Sequence, residues 1–245
     1  MFSDLGKLWK NIVDTIFAEV RRISSLEFAP HPVGLDGPVQ NIKRMAEFAQ
    51  ERGMNPKLVV IVGNGGSGKT TLARLLFNGS RSALRTSFLV DGSAVSATNM
   101  LQFLERKLLN GSPNGNDEID SVIEDKEIVR SRFARLETSP FLIILDDIDH
   151  ADQVDAFLEV QDVLPTDSLI IITTRDRNLF RRMPEAMFHV MKKMDENHAR
   201  ELFCLHAFQQ CDPVSRFETL VEGFLRACDG LPLLLKVLGR HLFGK

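Results

Sequence analysis

A chain of 245 residues, 44% hydrophobic and 26% charged, has the length and apolar content for one large domain or for an α/β domain with a smaller helical one. Its net charge of -3, with basic residues dispersed and no long single-sign run, carries no electrostatic footprint for nucleic acid. Cys204, Cys211 and Cys228 are odd in number and lack C-x-x-C spacing, which argues against a disulfide framework and for a reducing compartment.

At the start of the chain, Leu5, Leu8, Trp9, Ile12, Val13, Ile16, Phe17 and Val20 recur at spacings of three and four, so residues 1–30 are expected to hold an amphipathic helix and a linker. The polar face mixes both charge signs, so the apolar stripe is expected to pack on protein rather than on a membrane surface. Asp4, Lys7, Lys10 and Asp14 interrupt any secretory core, and no apolar run reaches the ~18 residues of a membrane span. A cytoplasmic protein without a transmembrane segment is the expectation.

Pro30, Pro32 and Gly34 mark a loop, after which Asn41 to Arg52 reads as a helix leading into the apolar strand Leu58 to Val62. A helix-like segment from Leu72 to Phe77 follows, then a short strand at Ser87 to Val90, a helix from Met100 to Leu109, and a Gly/Asn/Asp-rich loop over 110–120. Phe141 to Leu145 and Leu169 to Ile172 are continuous apolar runs of strand length, as expected for parallel strands covered on both faces. From Asp195 onward the pattern is helical throughout. The expected fold is therefore an α/β/α three-layer sandwich around a parallel sheet over 31–190, followed by a small helical domain over 191–245.

Between the first strand and its helix stands Gly63-Asn64-Gly65-Gly66-Ser67-Gly68-Lys69-Thr70-Thr71, a complete G-x-x-x-x-G-K-[ST] phosphate loop. Glycines allow successive backbone N–H groups to turn toward an anion, and the next helix adds the positive end of its dipole. Gly63, Gly65, Gly66, Ser67, Gly68 and Thr71 are expected to cradle phosphates, Lys69 to reach the β- and γ-phosphates, and Thr70 to hold Mg²⁺. Two carboxylates, Asp146 and Asp147, end the strand that begins at Phe141, where ligands of open parallel sheets bind. Asp146 is expected to serve Mg²⁺ and Asp147 to orient or deprotonate water; the bland alternative is a helix N-cap within Asp147 to Asp149. Aspartate reaches one methylene less far than glutamate, so slow turnover is expected. Arg175, at the tip of the next strand, is expected to meet a γ-phosphate, with a surface ion pair as its alternative role.

The order of phosphate loop, Leu145-Asp146-Asp147, Ile171-Ile172-Thr173-Thr174-Arg175-Asp176 and Cys228-Asp229-Gly230-Leu231-Pro232-Leu233 resembles the NB-ARC module of plant disease-resistance proteins, of the kind that follows a TIR domain. The resemblance covers about Val33 to Leu242. It implies a P-loop NTPase with an ARC1-like helical domain, and a switch that rests with ADP, is activated by exchange for ATP and is reset by a weak ATPase activity. It further implies Val33, Gly34, Leu231, Pro232 and Leu233 near the adenine, Asp146 on Mg²⁺ and Arg175 as γ-phosphate sensor. Measured against that family, the sequence ends at Lys245, ahead of the segment that would match a winged helix and leucine-rich repeats, so a truncated form is expected. Its expected partners are proteins: related immune receptors, signalling domains, or further copies of the chain assembled with ATP. Two rivals stand beside the switch, a nucleotide-independent interaction or decoy protein and a small-molecule kinase.

Overall fold

The structure, a computed structural model, describes residues 32–54, 57–80, 87–92, 141–161, 164, 168–183, 186–213 and 215–243. The expected N-terminal helix within 1–30, the helix from Met100 to Leu109 and the loop over 110–120 lie outside the described residues. Among them, five strands form one sheet in the order β2-β3-β4-β1-β5, with β1 at Lys57–Val62, β2 at Ser87–Asp91, β3 at Leu142–Ile148, β4 at Leu169–Thr174 and β5 at Met187–Val190. Every pairing is parallel.

Period-two alternation along these strands separates two cores. Val59, Ile61, Ile144 and Ile171 face helix α1 (Asp36–Glu51) and helix α2 (Lys69–Ser80), packing with Ile42, Ala46, Leu72 and Leu76. Leu58, Val60, Ile143, Leu145, Ile170 and Ile172 face the other way, onto Val154 and Phe157 of helix α3 (Ala151–Gln161) and onto Phe180. Both faces of the sheet are thus covered, which is why its strands read as unbroken apolar runs.

Three helices follow the sheet: α4 (Glu196–Phe208), α5 (Glu218–Cys228) and α6 (Pro232–Leu242). They close on their own core, which includes Leu202, Phe203, Cys204, Val221 and Leu235, with the Phe203 and Phe224 rings stacked at 5.7 Å. Asp195 caps α4 by accepting the His198 amide (3.0 Å). α5 ends on two successive left-handed residues, Asp229 and Gly230, before Pro232 opens α6 at its first position. All three cysteines are free; burial pushes the Cys204 thiol up to about 11, so it behaves as a core residue.

The helix expected from Asn41 begins five residues earlier, because Pro38 falls in its first turn, where proline is tolerated, and Asp36 favours the dipole. β3 runs on through both aspartates to Ile148, and α3 starts only at Ala151. The amides before α3 are capped from within the helix: Asp149 and His150 donate to Gln153 Oε1 (3.0 Å each).

Candidate functional site

β1 delivers the chain into residues 63–68, and α2 begins at Lys69. Gly66 and Gly68 hold φ of +78° and +94°, values that side chains disfavour. A Cβ at Gly66 would lie 2.7 Å from Leu233 Cβ, and one at Gly63 would lie 2.7 Å from Ser67 Oγ. One glycine therefore admits α6 onto the loop, while the other lets the loop close on itself. The first contact is completed by the Leu233 amide, which donates to the Gly66 carbonyl (3.2 Å).

Lys69 is only 6% exposed, and its Nζ donates to the carbonyls of Gly63 (2.8 Å) and Asn64 (3.0 Å). Burial pulls its pKa below the ordinary lysine value; Asp147 and Asp146 oppose that shift and Arg175 adds to it. Thr70 Oγ1 donates to Asp146 Oδ1 (3.1 Å), and Thr173 Oγ1 donates to the same oxygen (2.6 Å). Thr173 Oγ1 also accepts the Asp147 amide (2.8 Å), so one hydroxyl positions both aspartates. Asp147 itself has φ of +59°, and the β3–β4 register shifts between Leu145 and Ile148. That irregularity turns its carboxylate toward Arg175, whose Nη2 lies 3.5 Å from Asp147 Oδ2.

A cavity of about 1040 Å³ gathers Val33, Gly34, Gly65, Gly66, Ser67, Gly68, Lys69, Thr70, Thr71, Asp147, Arg175, Pro232 and Leu233. Its volume stands at the upper end of ligand pockets, which run about 300–1,000 Å³. Gly63, Asp146 and Leu231 do not line it. Gly63 and Asp146 act on it through Lys69 and Thr70, and Leu231 is the residue that precedes α6. The residues present fit a nucleotide phosphate: the backbone is open at Gly65 and Gly68, where an added Cβ would meet nothing nearer than 3.7 Å, and buried Ser67 Oγ has no protein partner among the described residues. Were a hard divalent cation bound, the neighbouring Thr70 hydroxyl and Asp146 carboxylate would offer it part of an oxygen shell. Among the described residues no group of three or more His, Cys, Asp or Glu side chains could hold a metal.

Sequence reasoning missed other parts of the wall, because tertiary packing alone assembles them: Asn41, Arg44, Arg74, His189, His198 and Lys236, with the connector Met191 to Asp195. Gly34 meets that connector and the first turn of α4 closely, since a Cβ there would lie 3.2 Å from Met194 Cε and 3.3 Å from His198 Cγ. Asn41 Nδ2 donates to His189 Nδ1 (2.8 Å), tying α1 to the edge strand β5. His189 Nε2 is buried without a partner, and burial, helped by the charge of Lys192, holds the imidazole pKa below its usual value. The unfolded chain therefore takes up this proton near pH ~6.5 while the folded chain resists it. Thermal stability should fall as pH drops below that value, by up to about 1.4 kcal/mol for each pH unit in which only the unfolded state is protonated. Melting curves from pH 7.5 to 5.5 check this, and the acid loss should be smaller in His189→Gln.

A phosphate loop leaving an interior parallel strand, with two carboxylates at the tip of a strand one place beyond its neighbour, defines a P-loop NTPase fold. The same fold appears in solved structures: the chain in a Drosophila ORC bound to DNA (TM-score 0.65, 14% identity, 91% of this chain and 63% of that one) and a Thermotoga maritima RuvB mutant (TM-score 0.51, 12% identity, 86% and 63%). Residues 39–212 match the NB-ARC domain, and the chain belongs to that family. It is 30% identical over 239 residues to the disease resistance protein RUN1 of Vitis rotundifolia, covering 96% of this chain and 17% of the relative. It is also 30% identical over 244 residues to the TMV resistance protein N of Nicotiana glutinosa, covering 95% and 20%. The chain thus spans no more than about a fifth of the length of these two relatives.

Proposed function

We propose that this chain is an ADP/ATP-binding switch module of the plant-defence type, with slow Mg²⁺-dependent hydrolysis. The observation that carries the reading is the seat of α6 on the phosphate loop, through the Leu233 amide and the Gly66 carbonyl at 3.2 Å. Because of that seat, residues from both the sheet part (31–190) and the helical part (191–245) wall one cavity. A ligand held there touches both parts, and its phosphate count can be felt by each.

In this reading Gly65, Gly66, Ser67, Gly68 and Thr71 hold phosphates with Lys69. Thr70 and Asp146 hold Mg²⁺, Asp147 orients water, and Arg175 senses a third phosphate. Val33, Gly34, Pro232 and Leu233 enclose the base, with Leu231 setting the entry of α6. Slow turnover follows from the short Asp147 side chain, which reaches one methylene less far than glutamate toward an attacking water. Protein partners, whether related receptors or further copies of the chain, suit a switch whose output is shape. A cytoplasmic location agrees with the three free cysteines. Among the described residues no helix is long and apolar enough to cross a membrane.

Identification of the nucleotide released when the purified chain is denatured tests the reading. Close to one ADP per chain is the expected result. An empty protein that also takes up neither ADP nor ATP on titration with Mg²⁺ would overturn it.

A further inference from the structure

We infer that the Asp147–Arg175 ion pair sets the preference of this site between nucleoside diphosphate and triphosphate, because Asp147 competes with a third phosphate for the Arg175 guanidinium. The inference rests on the nucleotide-binding reading above and adds a specificity role for Asp147 distinct from any part in hydrolysis.

The backbone on both sides of the pair is fixed. Thr174 Oγ1 donates to the Ile148 carbonyl (2.7 Å) and accepts the Asp176 amide (3.1 Å), so the segment carrying Arg175 is tied to the segment carrying Asp147. Asp147 is held by its own amide on Thr173 Oγ1 (2.8 Å) in a left-handed conformation that non-glycine residues adopt rarely. The strand irregularity thus aims the carboxylate, leaving the Arg175 side chain as the part free to choose a partner.

Arg175 also lies over the phosphate loop: a Cβ added to Gly65 would sit 4.0 Å from its Cζ and Nη1. Its side chain is 64% exposed, that of Asp147 34%, and they meet at 3.5 Å, a contact loose enough to exchange. A guanidinium within reach of a carboxylate and of a phosphate-binding loop divides between the two anions. A diphosphate leaves Arg175 on Asp147, whereas a triphosphate must draw it away. Asp147 therefore weakens the binding of a triphosphate selectively, through Arg175.

A double-mutant cycle on the full chain tests this. Titration calorimetry with Mg²⁺ and either ADP or the non-hydrolysable triphosphate AMPPNP would be run on wild type, Asp147→Asn, Arg175→Gln and the double variant. Asparagine is chosen because it tolerates the left-handed conformation. Asp147→Asn should raise AMPPNP affinity relative to ADP about three- to fivefold, the range an exposed ion pair supplies. That gain should vanish in the Arg175→Gln background. A gain of equal size without Arg175 would reveal a general charge effect and overturn the competition, as would no selective gain in wild type. Wild type that binds ADP but shows no coupling sinks this inference alone; wild type that binds neither ligand sinks the nucleotide reading with it.

Discussion

Lys69→Ala is expected to lower adenine-nucleotide affinity at least about 100-fold while leaving the fold in place. Its ammonium is largely desolvated and held at the mouth of the phosphate loop by the Gly63 and Asn64 carbonyls, at 2.8 and 3.0 Å. A charge fixed in this way meets a phosphate without reorganisation, and losing one partner of such a pair costs about 3–4 kcal/mol, or two to three powers of ten. The fold survives because the variant removes a cation that burial already disfavours in its charged form. Retained nucleotide measured by ion exchange, beside a circular-dichroism melt of the same sample, checks both halves. Affinity within twofold of wild type would count against the phosphate-loop assignment.

Gly230→Ala should unfold the molecule at a clearly lower temperature and weaken the ligand site with it. Gly230 sits at φ +66°, and a Cβ there would lie 2.5 Å from the Met194 carbonyl oxygen and 3.2 Å from the Met194 nitrogen. Neither obstacle is a flexible side-chain end; both belong to the backbone of the connector, whose Met194 amide donates to the Gly230 carbonyl (2.9 Å). Left-handed strain and forced overlap together cost about 2–4 kcal/mol. For a chain of this size that lowers the melting temperature by roughly 5–15 °C. Gly223→Ala, inside α5 with open space around it, serves as the contrast and should stabilise by about 0.5–1 kcal/mol. If the two variants melt alike, the packing argument for Gly230 fails.

Strands covered on both faces were legible because burial demands unbroken apolar runs, and β1, β3 and β4 fall where those runs lie. The phosphate loop was legible because its chemistry is local, confined to nine consecutive residues. β5 was not read as a strand: four edge residues, including a histidine and an exposed valine, carry too short a pattern. α3 was also missed: in its eleven residues the large apolar positions Val154, Phe157, Leu158 and Val160 are interleaved with three carboxylates and two glutamines, too short a stretch for a clear helical stripe. Thr173 read as an ordinary strand residue, although its hydroxyl serves both aspartates. That role depends on a neighbouring strand, and no window along the chain contains it. His189 and Asn41, 148 positions apart, meet for the same reason.

β1 and β5 run side by side and leave the sheet at the same end, β1 into the phosphate loop and β5 into the connector that leads to α4; the Met191 amide still grips the Val62 carbonyl (2.8 Å) just past the last paired residues. Loop and connector therefore start from a common anchor. At its other end the connector meets the helices: its Met194 amide holds the Gly230 carbonyl (2.9 Å), so one five-residue segment ties the edge of the sheet to the turn between α5 and α6. That tie needs no relay of side chains through the core, because it is built into the order of the strands.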